Sequence, residues 1–268
     1  MATEEYTSVW TRPKRGRRRD QPALSREQIV AEALKLLDAD GLEALTMRKL
    51  GAALGAVATA VYWHVANKEE LVELVVDEVY GEIEVPAVTE TGQWRAAAES
   101  SARSVRDMIV RHPWVAPTLA EVGMNYLGPN LMRVSDQLLG VYLTAGFELV
   151  EADHASKTVL GYVIGIASTE AATITKLHRS GMDHDAWRAA VWPAAVKAAE
   201  PYPHIRALYA AHDATDLTID AEDNFSYGLN RILDGLESRL RNTSSASVLA
   251  IQAAAKTMGR LKPDPVTE

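Results

Sequence analysis

Cysteine is missing from all 268 residues. That excludes a disulfide framework, a thiol nucleophile and any cysteine-held metal. A long apolar run is missing too: nothing approaches the ~18 uninterrupted apolar residues of a membrane span. The first stretch is polar and then strongly basic, unlike a signal peptide. The expectation is a cytoplasmic chain with no membrane partner. Catalytic signatures are also lacking. There is no Gly-rich phosphate loop, no G-x-S-x-G elbow, no His-Glu-x-x-His and no compelling carboxylate pair, so neither an enzyme nor a bound cofactor is expected. Alternating β-branched runs bounded by turns are absent, which leaves an all-α fold.

What the chain does have is an uneven charge. Its net charge is -8, and 47% of it is hydrophobic, enough for a sizeable core. Between Arg12 and Arg26 stand seven Lys/Arg against one acid, Asp20. The segment from Ala44 to Lys68 adds Arg48, Lys49 and Lys68 with no acid, whereas residues 71–268 hold 17 basic and 26 acidic side chains. A basic N-terminal end on an acidic body is the pattern of a DNA-binding head on a body that does not touch DNA.

Four regions follow. Residues 1–24 form a basic arm with Pro13, Gly16 and Pro22, too charged to pack. Residues 25–70 predict three short helices. Ser25 and Gln28 make a capping box for the first, Ile29, Ala33, Leu36 and Leu37 give its apolar stripe, and Gly41 ends it as a left-handed cap. Thr46 caps the second, which ends at Gly55, and the third spans about 57–64. Two short helices around a glycine turn cannot hold a core alone, and fit a helix-turn-helix braced by the first helix. Residues 71–242 read as a larger helical bundle, with helices near 68–84, 92–111, 114–122, 129–145, 148–179, 184–199, 203–212 and 220–241. Residues 243–268 read as a tail, either frayed or carrying one more amphipathic helix.

The run Leu45-Thr46-Met47-Arg48-Lys49-Leu50, then Leu54-Gly55, Val61-Tyr62-Trp63-His64-Val65 and Asn67-Lys68, resembles the DNA-binding domain of the tetracycline repressor family. Phe225 through Glu237 resembles, more weakly, the last ligand-domain helix of the same subgroup. The resemblance implies a repressor that binds a palindromic double-stranded DNA operator as a homodimer and is released by a small-molecule inducer. It also implies phosphate contacts from Tyr62, His64 and Lys68 and a base contact from Arg48.

The residues agree with that assignment. Val61 and Val65 take the inner face, which pushes Tyr62, Trp63 and His64 outward, where hydroxyl, indole and imidazole groups can donate to phosphate oxygens. Arg48 is either a base reader suited to guanine or a solvated surface arginine. On the third helix Ala58 and Thr59 stand among alanines and valines, so methyl contacts to thymine are expected, and Thr46 is the cap at the DNA side. Arg15, Arg17, Arg18 and Arg19 of the arm either enter an A·T minor groove or remain a solvated tail; the thirteen steps from Arg12 to Ser25 reach roughly 45 Å extended.

Candidate ligand-binding residues are Met108, Trp114, Met124, Asn125, Tyr126, Tyr162 and Trp192, each of which is also a plain core candidate. Together with the family resemblance they suggest a bulky polycyclic or antibiotic-like inducer. Tetracycline with magnesium is not expected, because Met124 stands about where relatives that sense it carry a histidine. His178 and His184, six residues apart, are not a helical metal pair, so no metal site is expected. The helices near 148–179, rich in small residues at Gly161, Gly165, Ala167 and Ser168, and near 220–241 are the expected dimer interface. Activation instead of repression stays open, since it depends on where the operator sits.

Overall fold

The computed structural model describes residues 9–10, 24–121, 127–211 and 221–258. Among these residues the chain runs through ten α-helices and no strand. Helix α1 (Arg26–Asp40) opens with the capping box: Ser25 Oγ accepts from the Gln28 amide at 3.1 Å, and Gln28 Oε1 accepts from the Ser25 amide at 2.9 Å. Its end differs from expectation. Gly41 donates to the Leu37 carbonyl with φ 79° and ψ 176°, a glycine conformation outside the left-handed helical well.

Helices α2 (Met47–Ala53) and α3 (Ala58–Val61) follow, joined by a turn through Gly55 at φ 63°. Only glycine takes that angle without strain. Gly51 sets how closely the two helices meet, since a Cβ there would lie 3.0 Å from the Ala56 oxygen and 3.1 Å from the Ala58 nitrogen. The third helix is shorter than predicted: beyond Val61 the chain continues in turns through Tyr62, Trp63 and His64. Ile29, Ala33 and Leu37 of α1, Leu50 of α2, and Val61 and Val65 are all buried, so the three helices share one core.

Helix α4 (Lys68–Tyr80) leads from this head into the body. There α5 (Trp94–Arg111), α6 (Pro129–Ala145), α7 (Leu149–Ser180) and α10 (Ala221–Met258) pack together, with a 3-10 segment, Pro113–Glu121, lying across α7, α5 and α1. Trp94, Tyr142 and Phe147 form an aromatic cluster with centroids 6.1 to 6.2 Å apart. In α7 the buried residues Ala152, Ala155, Val159, Val163, Ala167 and Ala171 recur every three or four positions. Helices α8 (His184–Ala199) and α9 (Pro203–Ala211) pack on each other, with Trp192 4.8 Å from Tyr209. No break occurs at Asn242: α10 runs on to Met258 as one helix, so the expected tail begins as its continuation. Alanines and serines there carry no helix-breaking glycine or proline before Gly259.

Candidate nucleic-acid interface

The head's outer surface is built by exclusion. Burying Val61 and Val65 completely leaves the residues between them to face outward, and Tyr62 is 45% and Trp63 58% exposed. His64, next in sequence, is half-buried. Two adjacent large aromatic rings held in water make an exposed apolar patch that suits a binding partner. On α3 Thr59 is exposed and Ala58 half-buried, and Val57 projects before them at 71% exposure. Thr46 caps α2 by accepting from the Lys49 amide at 3.1 Å. Arg48 is exposed, while Lys49 beside it is held 2.6 Å from Asp40, which joins α2 to the end of α1. Thr46, Arg48, Thr59, Tyr62 and Trp63 are thus presented together by one small helical unit. Lys68 is placed differently: its ammonium donates to the Leu42 carbonyl at 2.7 Å and so also braces the loop after α1. Arg15, Arg17, Arg18 and Arg19 lie outside the described residues.

Three carboxylates on α4 were not singled out in the sequence. Glu70, Glu73 and Asp77 share one face of the helix and are all buried. Each accepts a backbone amide from a different part of the chain. Glu70 takes that of Ala66 at 2.7 Å, Glu73 that of Val9 at 3.1 Å, and Asp77 that of Leu131 at 3.0 Å, with the Asn130 side chain at 3.3 Å. Burial pushes the Asp77 carboxyl up from its ordinary value, partly offset by these donors. Gly128 is required here because a Cβ would collide with the Asp77 carboxylate. In sequence these acids, spaced three and four apart, resemble a solvated helix face, and only the packing around α4 shows that the face is covered.

A second joint ties the head to the body directly. Asp38, on α1, accepts from Trp114 Nε1 at 2.7 Å and lies 2.7 Å from His112 Nδ1. The other ring nitrogen of His112 is 3.1 Å from Glu82, which also pairs with Arg111. The 3-10 segment therefore bears on α1, while α6 bears on α4 through Asp77.

Of the candidate ligand-binding residues, Met108 and Trp114 are buried where α5 meets the 3-10 segment. Tyr162 faces α10, donating to the Phe225 carbonyl at 2.9 Å. Trp192 belongs to the α8–α9 pair. Met124, Asn125 and Tyr126 lie outside the described residues. Nearby, Arg106 is held between Glu170 at 2.9 Å and Glu222 at 2.6 Å, with its guanidinium 4.9 Å above the Phe225 ring, which locks α5, α7 and α10.

Comparison with known proteins finds two successive matches along the chain. Residues 29–75 match the family described as bacterial regulatory proteins, tetR family, and residues 85–240 match the tetracyclin repressor-like C-terminal domain. A repressor of Streptomyces coeruleorubidus, the HTH-type transcriptional repressor DrrR1, is 34% identical over 233 residues, covering 85% of this chain and 83% of that one. An HTH-type transcriptional regulator of Saccharopolyspora erythraea is 36% identical over 164 residues, 61% of this chain and 67% of its own length. Among solved structures, a possible TetR family regulator of Streptomyces coelicolor superposes with a TM-score of 0.66 at 31% identity, covering 80% of this chain and 99% of that one. ActR of the same organism, solved in complex with actinorhodin, gives 0.65 at 27% identity over 81% and 99%.

Proposed function

This chain belongs to the tetR family of bacterial transcriptional regulators, and on that premise we propose that it is a repressor that binds a palindromic operator as a homodimer and is released by a bulky small molecule. It works by binding in the cytoplasm, not by catalysis. The observation that carries the reading is the surface of the head, where Tyr62, Trp63, Arg48 and Thr59 are all exposed on one small helical unit with a shared buried core. The aromatic tips and Lys68 position the head on phosphates, while Arg48, Thr59 and the methyl groups of Ala58 and Val57 read bases. Arg15, Arg17, Arg18 and Arg19 add contacts in a neighbouring minor groove.

Two-fold symmetry supplies the second half-site. Helices α7 and α10 leave Leu149, Val150, Ile174 and Tyr227 exposed, which suits an isologous four-helix contact. By length and composition α7 is also apolar enough to cross a membrane. Its regular row of buried alanines and valines and its exposed apolar remainder suit a helix covered by a second copy.

Induction is a population shift. A ligand seated near Met108 and Trp114 moves the 3-10 segment against Asp38 and moves α6 against Asp77, and so re-aims the head through α1 and α4. That ActR was solved with actinorhodin supports a polycyclic inducer. The test is a thermal-shift screen of actinorhodin and other polycyclic aromatics, followed by release from the chain's own upstream DNA. Compounds that stabilise the protein and free the DNA are expected. Compounds that stabilise it and tighten DNA binding would overturn the induction scheme, and lost expression on deletion of the chain would favour activation.

A further inference from the structure

Helix α4 receives the N-terminal end of the chain as well as the head and the body. Val9 is 4% exposed and belongs to the core, its amide donates to Glu73 at 3.1 Å, and Trp10 packs half-buried against that core. Glu73 is itself only 5% exposed. A bond from a backbone amide to a buried carboxylate is charge-assisted and stronger than a neutral one. A solvated tail has no reason to bury a valine sixty-four residues from its partner. Between this contact and Leu24, where the described chain resumes beside α1, the sequence places Arg12, Lys14, Arg15, Arg17, Arg18 and Arg19.

We propose that Val9 and Trp10 are positioning residues that anchor the basic run to α4, so that its charges are presented to operator DNA from a segment tethered at both ends. The inference rests on the proposed role of the run as a DNA contact, and adds what places it. Fourteen steps separate Trp10 from Leu24, about 50 Å fully extended, so chain length alone limits how far the arginines can lie from both anchors. A tail free at its start reaches further but spends less time near any one groove; the tether raises the effective concentration of the arginines next to their own head. Because Glu73 lies one turn before Asp77, the anchor also sits on the helix that joins head and body.

The experiment uses the full chain and a fluorescent duplex that the wild-type protein selects from a random-sequence pool. Affinity is measured by anisotropy across a salt series. Replacing Arg15, Arg17, Arg18 and Arg19 together by alanine weakens binding and lowers the salt slope by about 0.9 for each phosphate no longer neutralised. Trp10→Ala, with every arginine kept, weakens binding by about tenfold, and Val9→Pro, which removes the amide donor, does the same. In the arginine-free background neither change has a further effect. Wild-type affinity in both Trp10→Ala and Val9→Pro overturns the anchor and leaves the arm reading standing. An equal loss in the arginine-free background also overturns it, because Trp10 then acts through head stability. An arginine-free variant with unchanged affinity and slope overturns the arm reading, and this inference with it.

Discussion

At the scale of single residues, Trp63 separates binding from stability most sharply. Its ring is more than half exposed, so under the proposed function its value lies in what it touches on DNA. Trp63→Ala is expected to weaken operator binding by about tenfold, which is roughly 1.4 kcal/mol, while Tm changes by no more than about 2 °C. Anisotropy and differential scanning calorimetry on one preparation check both. The outward set of Tyr62 and Trp63 was legible because two valines four apart claim the inner face. Less legible was Lys68. The sequence offers it as a phosphate donor, but its bond to the Leu42 carbonyl spans a loop, and sequence patterning does not show which carbonyl a flexible ammonium will meet. The three acids of α4 were hidden for the opposite reason: written in a line they resemble a solvated helix face, and only the surrounding Leu71, Leu74, Val75 and Val79 show that the face is covered.

In the proposed induction scheme, joints between elements carry the coupling. Asp38 ends up against His112 and Trp114, 74 and 76 residues away, because the 3-10 segment turns back beneath α1. Trp114→Phe keeps an aromatic ring and deletes the donor, leaving Asp38 with one partner fewer at a tight joint. A loss of about 1 to 2 kcal/mol in urea unfolding is expected, together with an operator affinity that responds less to inducer. No loss in either measurement would mean the joint transmits nothing.

Farther into the body, Glu222 ties α10 to α5. The Arg103 hydrogen bond, then those of Ser226 and Arg106, hold its carboxyl below the usual 4.5. A depressed carboxyl stabilises the fold above its unfolded value, and that contribution is lost as pH falls from about 4.5 through the folded value. Hydrogen exchange is therefore expected to show α10 loosening from α5 on acidification through that window. Glu222→Gln should loosen the contact at neutral pH and flatten the dependence. Helix ends across the bundle were legible to within a few residues because proline and glycine mark them. The extension of α10 was not, since Ala/Ser-rich sequence fits helix and tail alike.

At the scale of the molecule, the division into an all-α head and body follows from charge and helical periodicity alone. The way the two are locked does not, because it depends on contacts between residues far apart in sequence. Dimerisation gives a direct check of the body. Gly161 and Gly165 lie exposed on α7, and a Cβ at either meets nothing within 4 Å in the single chain. Gly165→Leu should thus leave the fold of one protomer intact while separating two helices that approach closely in a dimer. Sedimentation velocity is expected to show a monomer with wild-type helicity and lost operator binding. A stable dimer would move the interface elsewhere.

The central claim is that a symmetric pair of these heads reads DNA. It is tested most directly by selecting duplexes from a random-sequence pool with the wild-type chain and sequencing what is bound. The predicted result is an inverted repeat with half-sites about one helical turn apart, bound by two chains per duplex. Enrichment of a single unsymmetric site, or of no sequence at all, would contradict it.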